Sequence, residues 1–331
     1  MRTLRNVKRV ARRLIERERP IILMYHRVAR LMHDPWKIAV SPDRFAEQIE
    51  ALVQLRHVVP LQWLAAQIAE GRLPKNVAAV TFDDGYLDVL AAAKPILERS
   101  ACPATAFLVT GAIGETHYFW WDKLSRVAFE TPVLPAELEI KIAGRVHRWR
   151  TKGTLTASQR GALEGSPAVT REQLHYELWR LLRPLEPEPR WELVMRVCAW
   201  AGIEIEVNSA HRPLTALEVG HLASPGFIDI GAHSVTHPVL PLLDETDRRA
   251  EVESSRAACE ELIGEPIHAF AYPYGEFDAA AVACVRDAGF ACACTTRERA
   301  VSPKSDPMIL PRLHIDNWQG AEFVRRLNWG L

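Results

Sequence analysis

The sequence has no excess of charge of either sign. Its 331 residues include 41 Lys and Arg residues and 41 Asp and Glu residues. A balanced chain produces no overall field that would attract a polyanion or an anionic surface. We therefore expect no nucleic-acid partner.

Cysteine pairs with the CxxC spacing are also absent. None of the six cysteines forms a CxxC pattern, and five of them lie in apolar stretches. This placement predicts buried thiols and gives no sign of an oxidising compartment. The six are Cys102, Cys198, Cys259, Cys284, Cys292 and Cys294.

A long apolar run is missing near the start of the chain. Residues 1–20 carry eight Arg or Lys residues, and the apolar run at 21–25 is too short for the hydrophobic region of a signal peptide. We expect a basic helix over 1–20, without a cleavable signal or a membrane span. This helix either packs on the main domain with its charges solvated, or makes peripheral contact with an anionic membrane. The expected location is cytoplasmic, with the inner membrane surface as the alternative.

What the sequence does contain is an alternation of apolar runs and helical patterns. A hydrophobic content of 48% over 331 residues can bury a large core and exceeds one average domain. Seven short apolar runs are typical of buried strands, and helical patterns separate most of them. This alternation predicts an α/β fold with a parallel barrel or sheet. The runs span residues 21–25, 77–82, 104–109, 227–232, 267–272, 290–295 and 309–314.

The stretch 114–212, between the third and fourth runs, is too long for a simple crossover connection. Two alternating runs around Ala143 and Gly144 predict a β-hairpin, and two helical patterns follow them. We expect a small inserted α+β subdomain here, flanked by a main domain over 21–113 and 213–331. The alternating runs are 138–142 and 146–149, and the helical patterns are 171–182 and 191–201.

Two short polar segments directly follow apolar runs. Asp83 and Asp84 come after the second run, and His233 and His237 follow the fourth. Sites of α/β enzymes lie where such strands end. If the histidine segment starts a helical turn, both rings point the same way. Taken singly, an HxxxH pair or an Asp-Asp pair is weak, and it is their joint placement that points to a shared site.

Two imidazoles and a carboxylate suit zinc or a similar divalent ion. With Asp84 as the third ligand beside His233 and His237, one coordination position stays free for water, as in catalytic zinc sites. The neighbouring Asp83 is then available to accept a proton from water. The pattern favours a metal-assisted hydrolase.

These segments resemble motifs of the polysaccharide deacetylases, carbohydrate esterase family 4, which share the NodB homology domain. The segment TFDDG is similar to the family's first motif, which implies a catalytic base at Asp83 and a metal ligand at Asp84. The segment HSVTHP is similar to the second motif, which implies metal ligands at His233 and His237.

Two further segments carry the resemblance. FAYPYG is similar to the third motif, which forms a wall of the substrate groove and donates a backbone N–H to the oxyanion, here that of Tyr274. MYHRV, which starts at Met24, resembles a strand near the start of many members. The resemblance implies a distorted (β/α) barrel of about seven strands.

The sequence also departs from the family pattern. Many members carry an Arg in the third motif that holds the catalytic Asp, and the aligned residue here is Ala271. Arg312, in the segment LPRLHI, is the alternative holder from the last strand. The family's fourth motif, an Asp and Trp pair, has no convincing counterpart in 295–299.

The resemblance implies a general acid, usually a His on the final strand. His314 lies in this region, and strand alternation places it on the same face as Arg312. If that face points into the barrel, both residues serve the site. If it points outwards, His26 at the end of the first strand takes the role of the acid.

The activity implied is metal-dependent removal of N-acetyl or other acyl groups from amino sugars, with zinc as the expected ion. The partner would be a glycan or its lipid-linked precursor, and the inserted aromatic residues either stack on sugar rings or form the subdomain's own core. Two other classes stay open, a hydrolase of a small cyclic amide and a catalytically impaired glycan-binding protein, although the intact Asp83 argues against the latter. The oligomeric state is left open. The aromatic residues are Tyr118, Phe119, Trp120 and Trp121.

Overall fold

The computed structural model describes residues 18–115, 119–152, 168–203, 210–224 and 226–329. The basic helix expected over 1–20 lies almost wholly outside these ranges. The chain divides into two compact units, each described below by itself. Unit 1 comprises Met1–Leu31, Lys37–Glu115 and Pro213–Leu331, and unit 2 comprises Met32–Trp36 and Thr116–Arg212.

The strands of the described residues fall into one large parallel sheet, one pair of two-residue strands and one hairpin. In chain order they are β1 (Ile21–Tyr25), β2 (Arg27–Val28), β3 (Ala39–Val40), β4 (His57–Val58), β5 (Val77–Phe82), β6 (Ala104–Leu108), β7 (Glu137–Ile142), β8 (Arg145–Arg150), β9 (Ile228–Ala232), β10 (Ala269–Ala271), β11 (Cys292–Cys294) and β12 (Leu313–His314).

Helices follow most strands of the large sheet, and the described part of unit 2 contains three more. In chain order the α-helices are α1 (Pro42–Leu55), α2 (Leu61–Ala69), α3 (Lys94–Arg99), α4 (Trp120–Phe129), α5 (Arg171–Leu182), α6 (Pro187–Trp200), α7 (Ala216–Ala223), α8 (Glu245–Ile263), α9 (Ala279–Asp287) and α10 (Gly320–Trp329).

Unit 1 is built on the parallel sheet. Its strand order is β11-β10-β9-β6-β5-β1-β12, with β4 added beside β5. Each of the seven ordered strands lies within one of the seven predicted runs, because strands that are covered on both faces are continuously apolar. The curled sheet with its helices confirms the predicted distorted (β/α) barrel.

Alternate residues of each strand face two different apolar clusters. Ile22 and Ala79 lie in one cluster, which also contains residues of α2, whereas Leu23 and Val80 lie in the other, with residues of α1 and α8. Because side chains alternate along a strand, Asp83 shares its orientation with Ala79. The residue after β5 therefore leaves the sheet on the side of the first cluster.

The segment leading into β12 connects the two ends of the sheet. The backbone N–H of Leu310 donates to the carbonyl oxygen of Ala293 at 2.8 Å, and that of Thr295 donates to the carbonyl oxygen of Leu310 at 2.9 Å. Three residues after Leu310, β12 begins and pairs with β1. Arg312 consequently lies between β11 and β1, beside the carboxyl ends of the strands.

Unit 2 contains the hairpin and helices that the sequence predicts for the stretch 114–212. Ile142 pairs with Arg145 across a two-residue turn, and both turn residues have positive φ, 47° at Ala143 and 81° at Gly144. Two residues with positive φ suit the twist of a tight hairpin. Helix α5 begins with a capping box in which Thr170 and Gln173 satisfy each other's backbone N–H groups.

The aromatic residues at the start of α4 belong to the core of unit 2. Phe119, Trp120 and Trp121 are each buried, and the rings of Phe119 and Trp121 stack with centroids 4.5 Å apart. Of the two interpretations of these residues, the structure supports the core. Tyr118 lies outside the described residues. Within those residues, no helix combines the length and the apolar character needed to cross a bilayer.

Candidate active site

A fully buried ion pair stands at the carboxyl end of β5. The guanidinium of Arg312 donates from Nη1 to Oδ1 of Asp83 at 2.6 Å and from Nη2 to Oδ2 at 2.7 Å. Its Nε donates to the carbonyl oxygen of Thr295 at 3.0 Å, and Nη1 also reaches the hydroxyl of Thr81 at 3.2 Å. Such a two-point pair fixes the plane and the position of the carboxylate.

The charge state of Asp83 follows from this pairing. Burial by itself would raise the pKa of Asp83, but the charge and hydrogen bonds of Arg312, together with the nearby His233 and His26, hold that pKa well below its ordinary value. Asp83 is therefore an ionised carboxylate at neutral pH. It is able to accept a proton at an oxygen that Arg312 keeps in place.

Three buried side chains converge next to this pair. The Nε2 atoms of His233 and His237 each lie 3.6 Å from Oδ1 of Asp84, and one ligand atom from each of the three residues lies within 4.8 Å of the others. Nδ1 of His233 is 2.7 Å from the carbonyl oxygen of Ala271, which leaves Nε2 to face Asp84. A backbone oxygen on the far nitrogen is a common way to orient a metal-binding histidine.

The chemistry of these donors fits a divalent ion. Burial lowers the pKa of His233, although Asp83 opposes this effect, so the imidazole is neutral as a ligand must be. Two nitrogen donors and one carboxylate oxygen form a three-ligand set of the kind found in catalytic zinc sites. Asp84, His233 and His237 are thus a candidate metal site.

The two histidines do not share a helical turn. The loop that carries them has positive φ at Ser234, 65°, and at His237, 56°, and their ring centroids lie 4.8 Å apart. The HxxxH spacing allowed a helical turn, and this possibility is wrong, because residues with left-handed backbone interrupt a helix. The spacing alone does not reveal that the loop folds back on itself.

A carboxylate from α8 supports this loop, and no sequence pattern predicts it. Glu251 accepts hydrogen bonds from the backbone N–H groups of Val235 and Thr236 at 2.8 and 2.9 Å and from the Thr236 hydroxyl at 2.6 Å. The Ser234 hydroxyl accepts from the backbone N–H of His237 at 3.0 Å. A Glu sixteen residues after Val235 on an acidic helix carries no motif that would have identified it.

The third motif forms a wall against the metal site. The ring of Tyr274 meets the ring of His237 edge-on at 4.4 Å, and Tyr274 itself has a left-handed backbone with φ 58°. Gly275 follows at φ 69°, where a Cβ atom would stand 2.0 Å from Oγ1 of Thr296. Glycine is required there both by its conformation and by this close approach.

Two further histidines, His26 and His314, lie near Asp83. Nε2 of His26 is 3.9 Å from Oδ2 of Asp83, and the rings of His26 and His314 are 6.2 Å apart. Nε2 of His314 contacts the carbonyl oxygen of Lys37 at 2.8 Å. Both predicted acid candidates are therefore in the neighbourhood, and His26 is the one close to the base.

The ionisation of His26 depends on its surroundings. Burial lowers the pKa of His26 to about 3, whereas Asp83 acts in the opposite direction. The imidazole is neutral in the free protein. Its side chain is 16% exposed, so one edge remains open to solvent.

The structure brings together every site residue named from the sequence. Asp83, Asp84, His233 and His237 adjoin one another, Tyr274 stands against His237, and the last strand supplies two more. Ala271 contributes its carbonyl oxygen, and Arg312 binds the carboxylate that an Arg in the third motif holds in many relatives. The two residues from the last predicted strand are Arg312, which directly precedes β12, and His314, which lies in β12.

Comparison with known proteins agrees with this geometry. The family model for polysaccharide deacetylase matches residues 70–135 and 201–293, on either side of most of unit 2. Both motifs that supply the carboxylates and the histidines fall inside the matched ranges. Over these residues the chain matches the polysaccharide deacetylase family.

Two relatives share the name poly-β-1,6-N-acetyl-D-glucosamine N-deacetylase. The protein of Staphylococcus epidermidis is 28% identical over 126 residues, which cover 34% of this chain and 43% of the relative. A protein of Staphylococcus aureus is 30% identical over 89 residues, which cover 27% of this chain and 31% of the relative. The matched part is therefore less than half of the length of these curated relatives.

Solved structures share the fold over nearly the whole chain. The deacetylase PplD of Streptococcus pyogenes, in complex with acetate, has a TM-score of 0.59 at 17% identity and covers 93% of this chain and 98% of that one. IcaB from Ammonifex degensii has a TM-score of 0.59 at 18% identity, with 95% and 97% covered. At such identities the similarity establishes the fold alone.

Proposed function

We propose that this protein is a zinc-dependent hydrolase that removes N-acetyl groups from the amino sugars of a polysaccharide. The observation that carries the proposal is the adjacency of two parts. A candidate metal site of Asp84, His233 and His237 adjoins a buried carboxylate, Asp83, that Arg312 holds ionised. The match to the polysaccharide deacetylase family supports the same reaction class.

Asp84, His233 and His237 would hold the ion. Zinc, when bound, would polarise the acyl oxygen and lower the pKa of water. The chain itself provides two imidazoles and a carboxylate for such an ion, and the lowered pKa of His233 keeps that ring neutral, as a ligand must be. Glu251 keeps the histidine loop in shape, so the ligand set is formed before substrate arrives.

The proton route runs through Asp83. Its carboxylate accepts a proton from the attacking water while Arg312 fixes its orientation. His26, 3.9 Å away and neutral in the free protein, is placed to receive a proton and donate it to the departing amine. Hydrogen bonds between catalytic groups are often longer before substrate binds. His314, whose ring lies 6.2 Å from that of His26, would then have no direct contact with Asp83.

Tyr274 provides the remaining support for the transition state. We assign its backbone N–H to the oxyanion, where one such donor contributes roughly 3 to 4 kcal/mol. Its left-handed backbone and the following Gly275 fix the direction of this peptide. The reaction consumes water and an N-acetyl sugar and yields acetate and a free amine.

The substrate class rests on the relatives. Proteins similar to this one are named as deacetylases of poly-β-1,6-N-acetyl-D-glucosamine. We therefore favour a glycan of N-acetylglucosamine, or its lipid-linked precursor, over a small cyclic amide. The intact pair of Asp83 and Arg312 opposes the interpretation as an impaired binding protein.

Metal removal and readdition tests the proposal. We expect protein treated with a chelator to release no acetate from N-acetylglucosamine oligomers, and zinc to restore the release. Asp84→Ala should abolish both zinc binding and acetate release, because it removes one of three ligands. Tight zinc binding without acetate release from any acylated sugar would contradict the proposal and favour hydrolysis of a small amide.

A further inference from the structure

Unit 2 contains a surface pocket of about 460 Å³. Its walls come from the segment Met32–Trp36, from the end of α4 and from the first half of α5. Small-molecule sites in proteins have volumes of about 300 to 1,000 Å³. The pocket is large enough for a sugar ring.

Aromatic rings form the body of this pocket. The ring of Trp36 lies 4.9 Å from that of His175 and 4.8 Å from that of Trp179. Phe129 packs on His175 at 5.3 Å, and Tyr176 stacks along Trp179 at 6.1 Å. Contacts among these rings hold the wall in shape before any ligand enters.

Part of the pocket lining is exposed and has apolar surface. Tyr176 is 53% exposed and Met32 is 87% exposed, and both line the pocket. Of the aromatic residues that the sequence singled out in unit 2, Phe119, Trp120 and Trp121 are instead buried in its core. The exposed ring of Tyr176 is one that no sequence motif marked.

The pocket also has a charge preference. Among the described residues that line the pocket are Asp34 and Glu172, with the histidines His33 and His175 but no Lys or Arg. Glu172 is exposed in the first turn of α5. A cation in the pocket would gain from both carboxylates and from the faces of the rings.

A protonated amino sugar combines the features that such a pocket would bind. Its ring presents C–H groups to an aromatic face, and its amine carries a positive charge. The N-acetylated sugar has the same ring without the charge. The product of the proposed reaction therefore matches this pocket better than the substrate does.

We propose that the pocket of unit 2 is a second saccharide site that binds deacetylated amino-sugar units of the glycan. This inference rests on the proposed function, since that reaction creates the free amines. A chain that already carries free amines would be retained by the protein while further units are deacetylated.

Calorimetric binding to full-length Asp83→Asn protein at pH 6.5 and low salt tests the proposal, because this variant cannot turn over the ligand. The probes are tetramers of glucosamine and of N-acetylglucosamine. We expect the glucosamine tetramer to bind more tightly. Tyr176→Ala should weaken its binding by roughly tenfold, as expected for a lost stacking contact.

Control variants test whether binding depends on the charge of Glu172 and on the position of the aromatic ring in the pocket. Glu172→Gln should weaken binding of the glucosamine tetramer by roughly threefold and leave the acetylated tetramer unaffected. Glu188→Gln makes the same change in the first turn of α6, outside the pocket, and should alter neither. Trp63→Ala removes an aromatic ring of similar exposure on α2 and should also alter neither.

The outcomes separate this proposal from the proposed function. Equal affinity for the two tetramers, or unchanged binding in Tyr176→Ala, would overturn the pocket proposal even if the wild type releases acetate. If binding depends on Tyr176 but the wild type releases no acetate, the proposed deacetylase activity would be contradicted. The pocket would then stand as a binding site for cationic sugars.

Discussion

Asp83 stays ionised in a buried setting because Arg312 binds both of its oxygens. The family usually supplies this Arg from the third motif, where this chain has Ala271. Ala271 and Arg312 both lie beside the carboxyl ends of the strands, so Arg312 reaches the Asp83 carboxylate from a different part of the sheet. Sequence motifs locate Asp83 well, whereas the choice of Arg312 needs the closure of the sheet to be known.

The two acid candidates can be separated by substitution. We expect His26→Gln to lower kcat for acetate release by about 10²- to 10⁴-fold, the usual contribution of a general acid, with little change in zinc affinity. His314→Gln should have a much smaller effect, because the side chain contacts the carbonyl oxygen of Lys37 instead of Asp83. Steady-state kinetics of both variants decides the matter. A larger loss in His314→Gln would reverse the assignment.

The loop that carries the histidines is positioned by the helix behind it. Left-handed backbone at Ser234 and His237 turns the chain back on itself, and Glu251 binds two of the backbone N–H groups in between. The metal site is thus formed by tertiary contacts. Local helical spacing of the two histidines plays no part.

Glu251 should therefore affect metal affinity without touching the metal. We expect Glu251→Gln to weaken zinc binding by roughly tenfold or more, because outer groups that orient ligands typically contribute this much. Glu253→Gln, on the exposed face of the same helix, is the control and should leave affinity unchanged. Competition titration with a chromophoric chelator measures both. Equal affinities would show that the loop keeps its shape without Glu251.

Strands were easier to predict than the remaining elements. Parallel strands buried on both faces are continuous apolar runs, and all seven were identified. Helices α4, α7 and α10 were not predicted from the sequence. In α4, for example, the polar residues Asp122 and Lys123 are buried beside apolar ones, which only the tertiary fold explains. The segment Met32–Trp36 belongs to unit 2 although it is distant from it in sequence, and no local pattern indicates this.

The barrel of unit 1 brings distant parts of the sequence to one place. Asp83 and Arg312 are 229 residues apart and meet because β12 pairs with β1 next to β5. Their pair is buried at the ends of the sheet, so removal of one partner would leave an unpaired buried charge and destabilise the fold. Stability of the whole molecule should thus depend on the charge of one carboxylate.

The sign of this dependence follows from the lowered pKa of Asp83. A carboxylate whose pKa is lower in the folded state stabilises the fold fully above its unfolded pKa, about 3.9, and loses this effect as the pH falls through the folded value. Arg312→Met leaves a buried charge unpaired and should reduce the free energy of unfolding by roughly 3 to 5 kcal/mol at pH 7. The deficit should shrink toward pH 4, where Asp83 of the variant can take up a proton.

Urea unfolding of metal-free protein at pH 7 and pH 4 measures this difference. Arg286→Met removes a half-exposed guanidinium that lies 3.7 Å from Asp306 and serves as the control, with little effect at either pH. A deficit for Arg312→Met that is constant or larger at pH 4 would contradict the assigned charge state.

The most direct test of the two-part site compares Asp83→Asn with His237→Ala. Zinc binding and acetate release from N-acetylglucosamine oligomers are measured on both variants and on the wild type. We predict that Asp83→Asn binds zinc like the wild type but releases acetate at least about 10²-fold more slowly, whereas His237→Ala loses both properties. Undiminished acetate release by zinc-loaded Asp83→Asn would contradict the role of Asp83 as the base and, with it, the proposed mechanism.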